Sequence, residues 1–180
     1  KQAISLSPGI RLLNQEKFET ICSFIFSQNN NIPRIKGIIE RFCENFGDEI
    51  ESGIYAFPTV EQIAKLEVED LSPIRAGFRA KYIIDAAQKW CDGTLNEEDL
   101  KNIEKLDDAL AYLCRVKGIG LKVASCALLF GFERHDPFPI DVWMKRVLDK
   151  YFEKDFNPST FGKYAGVAQQ YLFDFERNND

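Results

Sequence analysis

Apolar residues recur at helical spacing along almost the whole of this sequence, and that regularity narrows the fold more than any other feature. Phe18, Ile21, Cys22 and Ile25 fall at i, i+3, i+4 and i+7, and Ile35, Ile38, Ile39 and Phe42 repeat the pattern. Tyr82, Ile83, Ala86, Ala87 and Trp90 continue it until Gly93. Residues suited to helix ends punctuate these runs. Gly47 supplies a stop, Thr59 and Gln62 form a capping box, and Asp107 is placed to cap a helix carrying Leu110, Leu113 and Cys114. Asp141 precedes Val142, Trp143, Val147, Leu148 and Tyr151 as a natural N-cap. Asn157-Pro158 opens a last helix through Phe161, Tyr164, Ala168 and Leu172, with proline at N1. Alternating β-patterned runs are nearly absent. The expectation is an all-α fold, a two-lobed helical bundle in which helices from about Phe18 to Ile103 form one lobe. The end of the chain closes against it and leaves a cleft between them.

Composition excludes several functions. Apolar residues make up 45% of the 180 positions, enough for a core without a metal or disulfide staple. Five cysteines, an odd number without CxxC spacing, predict reduced thiols. A single histidine, His135, excludes a histidine-based zinc site, and the absence of cysteine beyond Cys126 excludes a C-terminal iron–sulfur cluster. No apolar run approaches the roughly 18 residues of a membrane span. The first residues lack the apolar stretch of a secretory signal, so a cytoplasmic or nuclear protein is expected rather than a secreted one. Lysine and arginine total 23 against 28 acidic residues, a net charge of −5 with a pI near 5.1. Such a chain does not bind nucleic acid by bulk charge; any DNA contact needs a local basic surface.

The segment richest in chemistry runs from Leu110 to Arg146. A helix, the tight turn Val116-Lys117-Gly118-Ile119-Gly120 and a second helix from about Leu121 succeed one another. Gly118 and Gly120 permit positive φ and a close backbone approach. The N–H groups exposed there, at a helix N-terminus, suit a phosphate oxygen, with Arg115 and Lys117 beside them. Such a grip fixes register on DNA without reading bases. Lys122 stands in the first turn of the second helix, where the macrodipole disfavours a cation. Local rules are broken most often at functional sites, and an amine here suits a nucleophile. Asp141 caps the next helix after Pro137-Phe138-Pro139-Ile140.

LAYLCRVKGIGLKVA followed by PIDVW resembles the helix-hairpin-helix, Gly/Pro-Asp superfamily of DNA glycosylases. The stretch GIRLLNQEKFETICSFIFSQNNNIPRIKGIIERFCENFG and the later GFRAKY resemble its 8-oxoguanine DNA glycosylase branch. The likeness runs from about Gly9 to Phe173, so residues 1–180 read as one catalytic region of two helical lobes. It implies a bifunctional glycosylase and AP lyase acting as a monomer on damaged double-stranded DNA, with no cofactor for catalysis. Lys122 would attack C1′ of the damaged nucleotide and form a Schiff base, after which β-elimination nicks the strand. Asp141 would stabilise the cationic sugar and orient the amine.

The resemblance also assigns the pocket. Gln169 corresponds to the residue that hydrogen-bonds the Watson–Crick edge of the flipped base, Phe173 and Cys126 to those that sandwich its faces, and Pro139 to a lining residue. Asn29 would fill the space the lesion leaves. Arg34 and Arg79 would read the orphaned cytosine, and Phe78 would wedge into the stack. Gly118 and Gly120 would contact the DNA backbone. The carbonyls of Cys114, Val116 and Ile119 would hold a structural sodium or potassium ion.

Three departures stand out. Family members carry a β-rich domain ahead of this region, which the sequence does not include, and a carbonyl from that domain senses the N7 proton of 8-oxoguanine. Phe78 stands where tyrosine is common, and Trp143 replaces a histidine two residues after the aspartate. Two other readings share parts of the pattern. An endonuclease III-like pyrimidine glycosylase has the hairpin, lysine and aspartate, but SQNNNI and the missing cysteine cluster argue against it. A non-catalytic helix-hairpin-helix DNA-binding module would not form a covalent adduct through lysine.

Overall fold

The computed structural model describes residues 1–178. Ten α-helices succeed one another among them: α1 Gln2–Leu6, α2 Lys17–Phe26, α3 Ile32–Phe46, α4 Val60–Ala64, α5 Ala80–Cys91, α6 Glu97–Asn102, α7 Leu106–Leu113, α8 Leu121–Gly131, α9 Val142–Tyr151 and α10 Ala165–Asn178. Short 3-10 turns cover Ser72–Ile74 and Gly77–Arg79, and a longer one covers Pro158–Tyr164. A two-stranded antiparallel hairpin, β1 Glu49–Glu51 with β2 Ile54–Tyr55, breaks the helical series. It is too short to show an alternating pattern, so periodicity could not announce it.

Helix α2 is the axis of the larger lobe. Phe18, Ile21, Cys22, Ile25 and Phe26 are buried on the face that the sequence pattern marks. They pack against α8 on one side and against α3 and α5 on the other. Each fully buried side chain of this size contributes about 1.5–3 kcal/mol of transfer free energy. Helix α8 is buried from Val123 through Leu129, and its residues join the same core. The larger lobe therefore extends past Ile103, the expected boundary, to include α7 and α8. The physical reason is the sequence of α8 itself: an all-round apolar helix belongs at the centre of a core, not on a closing flap.

The smaller lobe joins the two ends of the described chain. Helix α10 packs on both α9 and α1, and Ser7 donates from Oγ to Asp174 at 2.5 Å. Its interior is largely aromatic, with Phe152, Phe156 and Phe161 in mutual contact and Phe138 stacked on Phe161 at 6.1 Å. An extended strap from about residue 133 to 141 links α8 to α9. Arg134 ties it to the larger lobe by donating to the carbonyls of Ile103 (2.7 Å) and Glu104 (3.0 Å). Gly166 donates its N–H to the His135 carbonyl at 2.7 Å, which anchors the start of α10 to the strap.

Two helix starts differ from expectation. Lys105 rather than Asp107 precedes α7; Asp107 lies in the first turn, where its charge favours the positive helix end. Asn157 does cap, but the segment it opens is a 3-10 turn, because Gly162 at φ 62° interrupts the helix before α10 begins at Ala165. The capping box at Thr59 and Gln62 and the Asp141 cap form as the residues require.

Candidate active site

The interlobe cleft contains a cavity of about 220 Å³. Helix α8 presents Lys122 and Cys126 to it, the strap presents Pro139 and Asp141, and α10 presents Gln169 and Phe173. These are the two residues expected to do chemistry and the four expected to hold the base. Their convergence arises from local structure. Lys122 and Cys126 are one helical turn apart, so they share a face. Gln169 and Phe173 repeat that spacing on α10.

The hairpin places Lys122 at the mouth. Gly120 caps α8 without any side-chain partner for the first N–H groups, and Lys122 itself is exposed with its Nζ 5.6 Å from the Phe24 ring centre. Asp141 receives the Met144 N–H on Oδ1 at 2.8 Å, which fixes its carboxylate at the positive end of α9. Gln169 is 3% exposed and accepts a hydrogen bond from Gln170 Nε2 on its Oε1 at 2.6 Å. Burial pushes the Cys126 thiol up to about 11; Lys122 nearby opposes that rise and Asp141 adds to it. The thiol is therefore neutral at physiological pH and acts as a soft apolar wall.

Phe24, Phe130 and Gln170 also line the cavity and were not anticipated. Phe24 and Phe130 stack at 5.6 Å. Phe24 lies off the apolar stripe of α2, and an aromatic off the stripe was the available signal. Phe130 carried none, because α8 is apolar on every face. A larger hollow of about 510 Å³ adjoins the other side of Lys122. Its carboxylate, Asp136, is committed to Arg134 at 2.7 and 2.9 Å, so it offers Lys122 no free partner.

A second group gathers where the α2–α3 turn meets the start of α5. Asn29 is exposed with φ 45°, Arg34 is exposed in the first turn of α3, and Phe78 is 48% exposed. Arg79 differs from expectation. It is 2% exposed, and its guanidinium donates to the carbonyls of Gln28, Asn29 and Ala76. Burial and the nearby Arg34 charge hold its pKa below the usual arginine range. A guanidinium committed to three backbone oxygens is not, in this arrangement, presented to a base. The carbonyls of an irregular turn need donors, and Arg79 supplies them.

The hairpin glycines are also unequal. Gly118 has φ 82°, and a Cβ there would fall inside the Tyr82 ring. Gly120 is extended at φ −99°, with open space where its Cβ would be. Positive φ is thus needed at the first glycine alone. The second leaves clear access to the α8 N-terminus. The Val116 carbonyl accepts the Ile119 N–H at 3.1 Å. Among the described residues, those of Cys114 and Ile119 receive no hydrogen bond outside regular helix.

Residues 22–160 match the HhH-GPD superfamily base excision DNA repair protein. The chain belongs to this superfamily. Among HhH-GPD relatives, the chain is 36% identical over 168 residues to an N-glycosylase/DNA lyase of Saccharomyces cerevisiae, covering 85% of this chain and 45% of that protein. The structure of MBOgg1 in complex with a low affinity DNA ligand superimposes with a TM-score of 0.89 at 41% identity, covering 98% of this chain and 65% of that one. The Clostridium acetobutylicum 8-oxoguanine glycosylase/lyase, in complex with double-stranded DNA containing cytosine opposite 8-oxoG, gives 0.88 at 36% identity. It covers 99% of this chain and 65% of that chain. This HhH-GPD chain therefore spans about half to two thirds of the length of these relatives.

Proposed function

We propose that this chain carries the excision chemistry of a bifunctional 8-oxoguanine DNA glycosylase and AP lyase. The observation that supports it best is the cavity in which Lys122 and Asp141 meet Gln169, Cys126, Phe173 and Pro139. A nucleobase must leave the stack to reach such a pocket. Gln169 then offers an amide to its Watson–Crick edge, while Phe173 and the neutral Cys126 face its planes. The Lys122 amine, in its uncharged form, attacks C1′. The new N–C1′ bond forms as the glycosidic bond breaks, and the departing base takes the bonding electron pair. The fixed Asp141 carboxylate offsets the positive charge that develops on the sugar. Opening of the sugar ring gives a Schiff base, and loss of a C2′ proton then expels the 3′ phosphate.

DNA is gripped locally in this reading. The open α8 N-terminus at Gly118 and Gly120 takes a phosphate, Phe78 enters the stack, Asn29 fills the vacated space and Arg34 faces the partner base. The Cys114 and Ile119 carbonyls fit a hard monovalent cation, with a second lone pair of Val116 beside them; such an ion would brace the hairpin. The chain works as a monomer on double-stranded DNA, in the nucleoid or the nucleus. No helix of the described residues is long and apolar enough to cross a membrane.

Borohydride trapping tests the reading. A covalent adduct is expected on duplex DNA holding 8-oxoguanine opposite cytosine. Preferential trapping on oxidised pyrimidines would favour the endonuclease III-like alternative. Lesion-dependent binding with no adduct on any substrate would reduce the chain to a binding module.

A further inference from the structure

We propose that Tyr82 is a positioning residue that holds the Phe78 wedge and the hairpin backbone at one fixed spacing, so that stack entry and phosphate capture act as a unit. This rests on the function proposed above. Helix α5 starts directly behind Phe78 and Arg79 and is buried through Ala80, Ile83, Ile84, Ala86 and Ala87. A helix seated on the core along that length is a rigid support. Phe78 and Tyr82 stand one turn apart, and their rings meet edge to face at 5.9 Å and 71°. The ring of Tyr82 also occupies the space above Gly118 where a Cβ would otherwise be. One aromatic side chain therefore touches both expected DNA-contacting elements.

Asp85, next along the same side of α5, closes the joint. Its Oδ2 accepts the Lys117 N–H at 2.8 Å, while Lys89 and Lys117 balance its charge. Consecutive hairpin residues are thus held by consecutive turns of the helix that carries the wedge. The arrangement has a clear use. Unstacking DNA costs free energy that is recovered only through contacts made in the bent duplex. Phosphate contacts set register. If the wedge and the grip are fixed relative to each other, capture of a phosphate already aims Phe78 at one step of the stack. Phe78 is half-exposed; the Arg79 guanidinium lies 4.4 Å from its ring centre, but the Tyr82 ring is the contact that also reaches the hairpin.

The test is a double-mutant cycle on affinity for a duplex containing a tetrahydrofuran abasic analogue, with 2-aminopurine beside it to report unstacking. Phe78→Ala removes the wedge, and Gly120→Ala adds a methyl group in the open space at the entrance to α8, where a phosphate would approach, without touching the fold. With Tyr82 present, the double substitution should weaken binding less than the product of the single losses, by about threefold or more. In the Tyr82→Leu background the losses should simply multiply, whereas Tyr82→Phe should keep the coupling. Thermal melting confirms that each variant is folded, and Tyr82→Phe carries the comparison should Tyr82→Leu unfold: additive losses in it would overturn the proposal. Losses that multiply in the parent, or coupling that survives Tyr82→Leu, would equally overturn it. The cycle reads binding and the excision reading is tested by trapping, so a protein that binds but traps nothing fails only the latter.

Discussion

Arg79 donates from Nη2 to the main-chain carbonyl of Asn29 at 3.0 Å, and Asn29 is held at φ 45°. A buried cation thus supports a backbone conformation that few residues adopt. The same guanidinium bonds the carbonyls on either side of the junction between the α2–α3 turn and the start of α5, at Gln28 and Ala76. Replacing Arg79 with Ala keeps the main-chain N–H that bonds the Ala76 carbonyl but should leave the Gln28 and Asn29 oxygens without their guanidinium donor, and destabilise the fold by about 2 kcal/mol. Lysine should recover only part, since it lacks the planar fork. Denaturant titration of the two variants checks the order.

The two arginines of this region should separate in function. Arg34 is exposed in the first turn of α3, where Asn31 caps its main-chain N–H and leaves the side chain on the surface. Arg34→Ala should reduce excision most when cytosine lies opposite the lesion, on the order of tenfold or more. Arg79→Lys should instead lower activity evenly across all four opposite bases, because it disturbs the turn rather than a base contact. Rates on 8-oxoguanine opposite C, A, G and T distinguish them. A cytosine-specific loss in Arg79→Lys would show that the guanidinium leaves its carbonyls when DNA binds.

What the sequence reveals here depends on how local the signal is. Lys122 and Asp141 were legible because a hairpin and one N-cap place them, both within a short segment. Cys126, Gln169 and Phe173 were legible only through resemblance, since Cys126 reads locally as helical core and the other two come from a distant helix. The extent of the larger lobe was not, since α8 is apolar all round and shows no face to assign. Burial of Arg79 was hidden for the opposite reason. A charged side chain reads as solvated, and nothing local says that an irregular turn far earlier in the chain needs its donors.

The two hairpin glycines predict opposite outcomes. Gly118→Ala forces a Cβ into the Tyr82 ring at a φ of 82°. A loss of about 2 kcal/mol or more is expected. Gly120→Ala meets open space at an ordinary φ and should change stability by less than about 0.5 kcal/mol. Its effect should appear in DNA affinity, because the methyl group takes up open space through which a phosphate would approach α8. Melting curves and binding titrations on the same two variants give both readings.

Cys126 gives a pH dependence with a definite sign. Its thiol has an ordinary value of 9.0 and is raised by burial to about 11 in the folded protein. The folded state therefore holds its proton where the unfolded state releases it. Stability from this group is intact below the unfolded value and is lost as pH rises through the folded one. Up to about 3 kcal/mol should disappear over that alkaline window. Cys126→Ala should flatten the decline, measured by urea titration at successive pH values. At neutral pH, iodoacetamide should modify exposed Cys91 well before Cys126. Faster alkylation of Cys126 would mean that it is a thiolate in the pocket.

Asp141 caps α9, and in the proposed mechanism it also acts on the sugar; one substitution separates the two. Its Oδ1 accepts the Met144 N–H at 2.8 Å, a contact that asparagine can reproduce with its own carbonyl oxygen. Asp141→Asn should therefore hold stability within about 0.5 kcal/mol, whereas Asp141→Ala should lose about 1 kcal/mol with the cap. The charge is a different matter. If the carboxylate stabilises positive charge on the sugar, Asp141→Asn should slow excision by about 10²–10³ despite an intact fold. Lys122→Gln, on an exposed first-turn position, should likewise fold normally and form no borohydride adduct. Melting curves, single-turnover excision and trapping on one set of variants check all of this. Excision at the parent rate by Asp141→Asn would reduce the aspartate to its cap, and an adduct formed by Lys122→Gln would place the nucleophile elsewhere.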